Sequence, residues 1–503
     1  MAQGRRKSVK NIYSVLKEHF GYFSFRPGQE GIIRAILSGR DAAAIMPTGA
    51  GKSLCYQIPA LAFDGITIVI SPLISLMQDQ VRTLIASGVR AAYINSSLTP
   101  GQTALALRNA AKGMYKIIYA APERLDSPSF LSFAMNSDIS LVAVDEAHCI
   151  SQWGQDFRPA YLRIAEFITK HRKRPVVTAF TATATEKVKQ DIISKTGLVS
   201  PYLFKGGFDR ENLYFSVEQP FDRMDRAKNY ILSHKNDSGI LYCLTRKQTE
   251  DAVRRLSAEG ISIGCYHAGM SDEARKKAQD DFIYDRIKVI AATSAFGMGI
   301  DKPDVRYVIH MNMPARMEDY YQQAGRAGRD GMEADCILLF SGRDVGLNRY
   351  MIEKEPEDDP LTPEQRKEYN RARLACLDSM VYYSTSKHTC LRRRILSYFG
   401  QNAPESCHNC SICRKKPIEL PEVFPMLLQY DESLFEALKN GCRRMAIFAG
   451  VPSYTIAGEK VLKEMAARKP ETITQLRQVE GFGEEKIRRW GADFIAIIKK
   501  YNK

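Results

Sequence analysis

No stretch of this sequence stays apolar long enough to cross a bilayer. The longest apolar runs, such as Ile66–Ile70 and Leu141–Val144, are strand-length, whereas a spanning helix needs roughly 20 residues. The basic N-terminus, MAQGRRKSVK, is not followed by an apolar core, which predicts a protein without a secretory leader that works inside the cell. Short-period repeats and low-complexity tracts are missing too. Acidic residues are in deficit, 57 against 72 basic ones for a net charge of +15, and that balance points to a polyanionic partner. Eleven cysteines without a leader argue for reduced thiols rather than a disulfide framework. Seven are scattered, and four cluster at Cys390, Cys407, Cys410 and Cys413.

At 503 residues the chain is too long for one core, and roughly 100–200 residues per domain predicts three or four units. Short β-rich runs alternate with helix-length segments, first at Ala42–Met46, Ile66–Ile70, Ile117–Ala120, Leu141–Val144 and Val176–Phe180. The pattern restarts at Ile240–Leu244, Ile263–Tyr266, Val289–Thr293, Tyr307–Met311 and Ile337–Phe340. Such alternation predicts an α/β fold of two tandem parallel-sheet domains with helices on both faces. Glu353–Pro363 is acidic and proline-containing, as a solvated hinge would be. Expected boundaries are 1–206 and 207–342 for the two α/β domains, 343–416 for a helical cysteine-bearing segment, 417–430 for a linker and 431–503 for an all-helical module of about five short helices.

The chemistry begins after the first strand, at Met46–Ser53 (MPTGAGKS). A strand, a glycine-containing loop and Gly51-Lys52-Ser53 opening a helix form a phosphate cradle of backbone N–H groups, made by Thr48, Gly49, Ala50 and Gly51. Lys52 is expected on the β/γ-phosphates of ATP and the Ser53 hydroxyl on Mg²⁺. The strict pattern has Gly at position 46, where this chain has Met46. Further on, four apolar residues lead into Asp145-Glu146-Ala147-His148. Asp145 is expected to hold the metal through water, and Glu146 to orient and deprotonate the attacking water. In the second α/β unit, YYQQAGRAGRDG (Tyr320–Gly331) sets Arg326 and Arg329 three apart. That spacing predicts one side of a helical turn, from which arginines neutralise a transferring phosphoryl group.

With these motifs the chain resembles the RecQ family of superfamily 2 DNA helicases. FGYFSFRPGQ (Phe20–Gln29) resembles the nucleotide-reading segment, which implies that Gln29 reads the adenine edge with Arg26 nearby. VISPLISLMQDQV (Val69–Val81) resembles the strand-gripping motif, FTATAT (Phe180–Thr185) the coupling motif, and CYHAGM (Cys265–Met270) and Ala292–His310 further parts of the second motor domain. HCISQWGQDFRPAY (His148–Tyr161) resembles the aromatic-rich loop, implying DNA contacts from Ser151, Gln152, Trp153, Phe157, Arg158 and Tyr161. Aromatics interleaved with polar residues read as exposed platforms on which bases stack, at roughly 1–3 kcal/mol each. The resemblance also carries His148 and Gln322 to the nucleotide. The chain departs from the family at Gln155, where His is usual, and at Gln322-Gln323, where Gln-Glu is common.

Cys390-x16-Cys407-x2-Cys410-x2-Cys413 offers four thiolates, which suit a tetrahedral structural Zn²⁺; His388 or His408 could replace one of them. Residues 361–416 hold eleven basic and four acidic side chains, including Arg392, Arg393 and Arg394, and so read as a platform for backbone phosphates. Residues 431–503 resemble the family's helicase-and-RNase-D C-terminal (HRDC) module through GVPSYTI and VEGFGEEK, and the Gly481-Phe482-Gly483 turn resembles turns that touch phosphates through N–H groups. The winged-helix domain that family members often carry has no counterpart between the zinc segment and Asp431. The resemblance implies two RecA-like lobes that use ATP to move 3′ to 5′ on single-stranded DNA and unwind duplexes in recombination, repair and replication. It further implies a monomer with single-strand-binding or repair proteins as partners and no membrane. A translocase or RNA helicase, and a non-catalytic DNA-binding scaffold, are the rival readings.

Overall fold

The computed structural model describes residues 11–151, 157–296, 302–354, 363–415 and 430–502. The chain divides into two compact units, residues 1–206 with 427–503, and residues 207–426.

The first unit is built on strands β1 (Ala42–Ile45), β2 (Ile66–Ile70), β3 (Ala91–Ile94), β4 (Ile117–Ala120), β5 (Ile139–Val144), β6 (Val176–Thr181) and β7 (Tyr202–Lys205). They form a parallel sheet of order β3-β4-β2-β5-β6-β1-β7. Strands covered on both faces must be apolar at every position rather than at alternate ones, and β1 and β4 are buried throughout. Alternate residues of β5 feed separate cores: Val142 and Val144 pack on one face, Leu141 and Ala143 on the other. Five strands lie where the sequence places them. Two do not: β3 is a short Ala-rich segment, and β7 is an edge strand whose residues alternate between half-buried and exposed.

The second unit has its own parallel sheet: β8 (Leu213–Glu218), β9 (Ser238–Tyr242), β10 (Ile263–Tyr266), β11 (Val289–Ala292), β12 (Val305–His310) and β13 (Ala334–Leu339). Their order is β10-β11-β9-β12-β13-β8. β8, at the edge beside β13, is the strand the periodicity does not announce. Helices Gly342–Glu353, Pro363–Thr385 and Leu391–Tyr398 then lead to the cysteine cluster. Most of the expected hinge, and of the linker 417–430, lies outside the described residues.

The C-terminal module has five helices among its described residues: Glu432–Ala449, Ser453–Ile456, Glu459–Arg468, Ile473–Leu476 and Glu484–Tyr501. Leu434, Leu438, Met465, Phe482, Phe494 and Ile498 fill its core. Its Gly481–Gly483 turn rests on the N-terminal segment of the same unit, where the Gly481 N–H donates to the Gly21 carbonyl at 2.9 Å. A Cβ on Gly483 would stand 3.1 Å from the Glu18 carbonyl oxygen and 3.2 Å from the Gly21 nitrogen. The resemblance of this turn to a phosphate-contacting one is therefore corrected in part: its leading N–H is already spent on the N-terminal segment. Gly483 has an ordinary φ of −72°, so the module's own backbone tolerates a side chain there. Gly483→Val should release the turn at a cost of about 1–3 kcal/mol, as overpacking does, while the module stays folded. Amide exchange checks this: the Gly481 amide should lose protection in the variant while the Phe494 and Ile498 amides keep theirs. Unchanged protection at Gly481 would show that the contact does not hold the module.

Candidate nucleotide site and zinc centre

The phosphate loop connects β1 to the helix Lys52–Ala62. Gly49 (φ +82°) and Gly51 (φ +79°) hold left-handed backbone, and a Cβ on Gly51 would meet the Gln29 amide nitrogen at 2.5 Å. Met46 does not behave as a loop residue. Its N–H pairs with the Thr181 carbonyl at 2.9 Å and its side chain is buried, so this position extends the sheet. Lys52 Nζ donates to the Met46 carbonyl at 3.1 Å.

The segment Phe20–Gln29 is locked onto this loop. Gln29 accepts from the Arg26 N–H at 2.8 Å and donates through Nε2 to the carbonyls of Ala50 (3.2 Å) and Gly51 (3.0 Å), while Arg26 Nη1 bonds the Gly49 carbonyl. Both amide protons of Gln29 are thus engaged by the phosphate loop, so the adenine-reading role implied by the resemblance needs those bonds to exchange.

At the end of β5, the Asp145 N–H continues the ladder to Ile70 O at 2.8 Å. Glu146 then turns into left-handed backbone at φ +46°, a conformation that costs a non-glycine residue about 1–3 kcal/mol and collects at functional sites. The turn is held by the Glu146 N–H donating to Asp145 Oδ1 at 3.0 Å. Glu146 Oε2 lies 3.4 Å from His148 Nδ1, which is 2.9 Å from the Thr181 hydroxyl on β6. Carboxylate, imidazole and the FTATAT segment are therefore one connected set. A second polar chain runs from the phosphate-loop helix to the Val69–Val81 segment: Gln57 donates to Gln80 Oε1 at 3.1 Å, and Tyr119 bridges Gln80 and Tyr56.

The aromatic-rich loop departs from expectation. Tyr161 is fully buried, and its hydroxyl donates to the Asp145 carbonyl at 3.0 Å. It props the carboxylate strand instead of offering a platform. Ser151 is also buried, donating to Asp191 Oδ2 at 2.7 Å. Arg158 Nη1 donates to the Pro72 carbonyl at 2.8 Å, joining this loop to the strand-gripping motif. Phe157 is half-buried, and Gln152, Trp153 and Gln155 lie outside the described residues.

In the second unit, the helix Met317–Ala324 ends before the arginines, so Arg326 and Arg329 sit on a turn and not on a helix as the spacing predicts. The sequence offers no signal for what shapes that turn. Arg210 donates to the carbonyls of Gly325 (3.3 Å), Ala327 (3.1 Å) and Gly328 (2.7 Å), and Asn212 to those of Gly328 and Met332. Gln322 is buried in the preceding helix. Gln323 Oε1 is 2.9 Å from His310 Nε2, and burial holds that imidazole down at about 4 and neutral. An amide suits a neutral imidazole, which accounts for Gln at this position.

Cys390, Cys407, Cys410 and Cys413 bring their sulfurs within 4.8 Å of one another. A Zn–S bond of about 2.3 Å in tetrahedral geometry sets sulfurs about 3.8 Å apart, and Cys390 and Cys410 lie at 4.0 Å. The four side chains fit a structural Zn²⁺. The sulfurs already accept N–H bonds from Arg393, Asn409 and Cys413, as thiolates do. The cluster is stitched to the sheet edge: the Ser411 N–H donates to Phe215 O, and Asn409 donates to Glu211 O. Arg392 corrects the phosphate-platform reading in part, because it is buried, paired with Asp209 and bonded to the carbonyls of Arg210 and Leu213.

A phosphate loop and a carboxylate pair in one parallel-sheet unit, with an arginine turn in a second, define an ATP-hydrolysing motor of the helicase class. Comparison with known families agrees: residues 26–191 match the DEAD/DEAH box helicase family, 222–331 the helicase conserved C-terminal domain, 342–414 the RecQ zinc-binding domain and 431–498 the HRDC domain. The ATP-dependent DNA helicase RecQ of Bacillus subtilis is 35% identical, covering 97% of this chain and 98% of its own length. The Haemophilus influenzae protein of that name is 42% identical over 80% of this chain and 64% of its own length. Among solved structures, the DEAD-box helicase Mss116 bound to single-stranded RNA shares the fold, with a TM-score of 0.55, 19% identity and coverage of 70% of this chain and 78% of its own. The chain belongs to the RecQ family of ATP-dependent DNA helicases.

Proposed function

We propose that this RecQ-family helicase moves 3′ to 5′ along single-stranded DNA and unwinds tailed or forked duplexes during recombination, repair and replication. The observation that supports the coupling of ATP to DNA is the Asp145–Glu146 turn. It is propped by Tyr161 of the aromatic-rich loop and linked through His148 to Thr181. Movement of that loop by bound bases would shift the general base. In this reading Lys52 and the loop Thr48–Ser53 hold the phosphates, Ser53 and Asp145 hold Mg²⁺, and Arg326 and Arg329 neutralise the transferring group. Gln29, Arg26, His148 and Gln322 surround the nucleotide, and Trp153, Phe157, Gln152 and Arg158 face DNA. The protein works as a monomer inside the cell, with single-strand-binding or repair proteins as partners. No described helix is long and apolar enough to cross a membrane.

Between the zinc-binding and HRDC matches lie sixteen residues, 415–430, too few for a further folded domain, since chains below about 40 residues rarely fold alone. That spacing favours a second reading, a translocase that opens long duplexes poorly. Strand separation on a short duplex with a 3′ single-stranded tail, against a 5′-tailed control, tests both. Unwinding of the 3′-tailed substrate alone is expected. Equal unwinding of the two overturns the polarity, and DNA-stimulated hydrolysis without separation selects the translocase.

A further inference from the structure

The turn Gly325–Gly328 follows the helix Met317–Ala324 and carries Arg326, with Arg329 directly after it. Carbonyls at and just beyond a helix C-terminus lack an intrahelical partner and need donors from elsewhere. Here one side chain, 115 residues from Gly325 in sequence, supplies them. All three guanidinium nitrogens of Arg210 are engaged: Nη1 with the Gly325 carbonyl (3.3 Å), Nη2 with those of Ala327 (3.1 Å) and Gly328 (2.7 Å), and Nε with Asn212 Oδ1 (3.4 Å). Asn212 Nδ2 holds the exit of the turn, donating to the carbonyls of Gly328 (2.9 Å) and Met332 (2.7 Å). The preceding helix is tied to the same segment, because the Tyr321 hydroxyl donates to the Phe208 carbonyl at 2.7 Å.

A guanidinium is planar and its donors have fixed directions, so carbonyls bonded to one such group cannot rotate independently. The Gly325 carbonyl belongs to the peptide that leads into Arg326, and the Gly328 carbonyl to the peptide that leads into Arg329. Arg210 therefore fixes the backbone entry to both arginines at once. Gly328 holds left-handed backbone at φ +54°, and a Cβ on it would stand 2.4 Å from Asn212 Nδ2, so the turn lies directly against that side chain. The holding segment is itself fixed by the sheet: β8 begins at Leu213, and the Asn212 carbonyl accepts from the Ala334 N–H of β13 at 3.1 Å.

We propose that Arg210 and Asn212 are positioning residues for ATP hydrolysis, which set where Arg326 and Arg329 stand without touching the nucleotide themselves. The proposal rests on the reading of those two arginines as neutralising the transferring phosphoryl group. An arginine used in that way acts in the transition state, where it is worth roughly 10³–10⁵ in rate. A misplacement of about 1 Å can remove about 10²-fold of such an effect. Loss of the holding bonds therefore lowers the rate of the chemical step and leaves binding of ATP in its ground state unchanged.

Phosphate release is measured on the full-length zinc-loaded protein with saturating single-stranded DNA, and with enzyme in excess over ATP so that slow variants stay readable. Arg210→Ala should release phosphate about 10–10²-fold more slowly than the parent and bind a non-hydrolysable ATP analogue equally well. Asn212→Ala should show a smaller loss of the same kind. In a background carrying both Arg326→Ala and Arg329→Ala, adding Arg210→Ala should change the rate less than about twofold, since nothing is left for it to place. A parent-like rate in Arg210→Ala overturns the proposal. So does a full loss repeated in the arginine-free background, which would put the effect of Arg210 elsewhere in the fold. Weakened analogue binding at an unchanged rate overturns it too, because it marks a ground-state contact. Zinc content and thermal melting are followed throughout. If Arg210→Ala sheds zinc or melts early, Arg210→Lys, which keeps the charge and loses the planar fork, decides in its place. If the protein carrying Arg326→Ala and Arg329→Ala hydrolyses ATP as fast as the parent, the reading of those arginines falls, and the proposal with it.

Discussion

Glu146→Gln will bind ATP as the parent does and hydrolyse it about 10²–10⁴-fold more slowly, the range over which a positioned general base acts. The backbone at Glu146 is already fixed, at φ +46° with its N–H on Asp145 Oδ1. Glutamine has the same shape and should keep that turn, so the change isolates proton acceptance from geometry. The carboxylate is held in one orientation, since its side chain is only 12% exposed and His148 Nδ1 stands 3.4 Å from Oε2. DNA-stimulated phosphate release, measured beside the affinity for a non-hydrolysable ATP analogue, checks both halves of the expectation. A decrease smaller than tenfold would place the base elsewhere. A decrease accompanied by weak nucleotide binding would mean that the turn itself had collapsed.

The second large effect concerns the metal. Removing zinc with a chelator and restoring magnesium alone should unfold the segment 390–415 and lower ATP hydrolysis, because a structural zinc contributes about 10–16 kcal/mol of apparent folding free energy. The route to the ATPase is physical. Cys390 caps the helix Leu391–Tyr398, whose Arg392 bonds the carbonyls of Arg210 and Leu213. Arg210 in turn shapes the turn 325–328 that precedes Arg329. Loss of the ion should therefore reach the arginine turn through one strand edge. Cys410→Ser should reproduce the effect, since Cys410 is buried and its neighbour Ser411 is bonded to β8. Thermal melting and ATP turnover before and after zinc readdition provide the check. A chelated protein that melts and turns over unchanged would show that the cluster carries no structural metal.

What could be read from residues alone, and what could not, divides along physical lines. The phosphate loop and Asp145-Glu146 are legible because their chemistry fixes residue type and spacing together, and the four cysteines because thiolates at that spacing have few other uses. Tyr161 is not. A tyrosine among polar residues reads as exposed, yet the short turn at Pro159–Arg163 folds it beneath β5. Arg392 misleads for a similar reason: three consecutive arginines read as a platform for phosphates, but the helix turns Leu391, Arg392, Arg394, Ile395 and Leu396 inward. Edge strands β3, β7 and β8 carry too little burial to leave a pattern. Arg210 and Asn212 act through main-chain carbonyls, which no side-chain motif records.

The seat of the C-terminal module has one more consequence. The Gly481 N–H has a single proton to give, and the Gly21 carbonyl holds it. An acidic ligand seeking that turn is thus a competitor of the motor's own backbone. By reciprocity, whatever draws the module away must be weakened by the seat to the same degree that it loosens it. Because module and motor share one chain, their encounter occurs at an effective concentration of order millimolar. A contact far too weak to survive between separate proteins then holds within one chain.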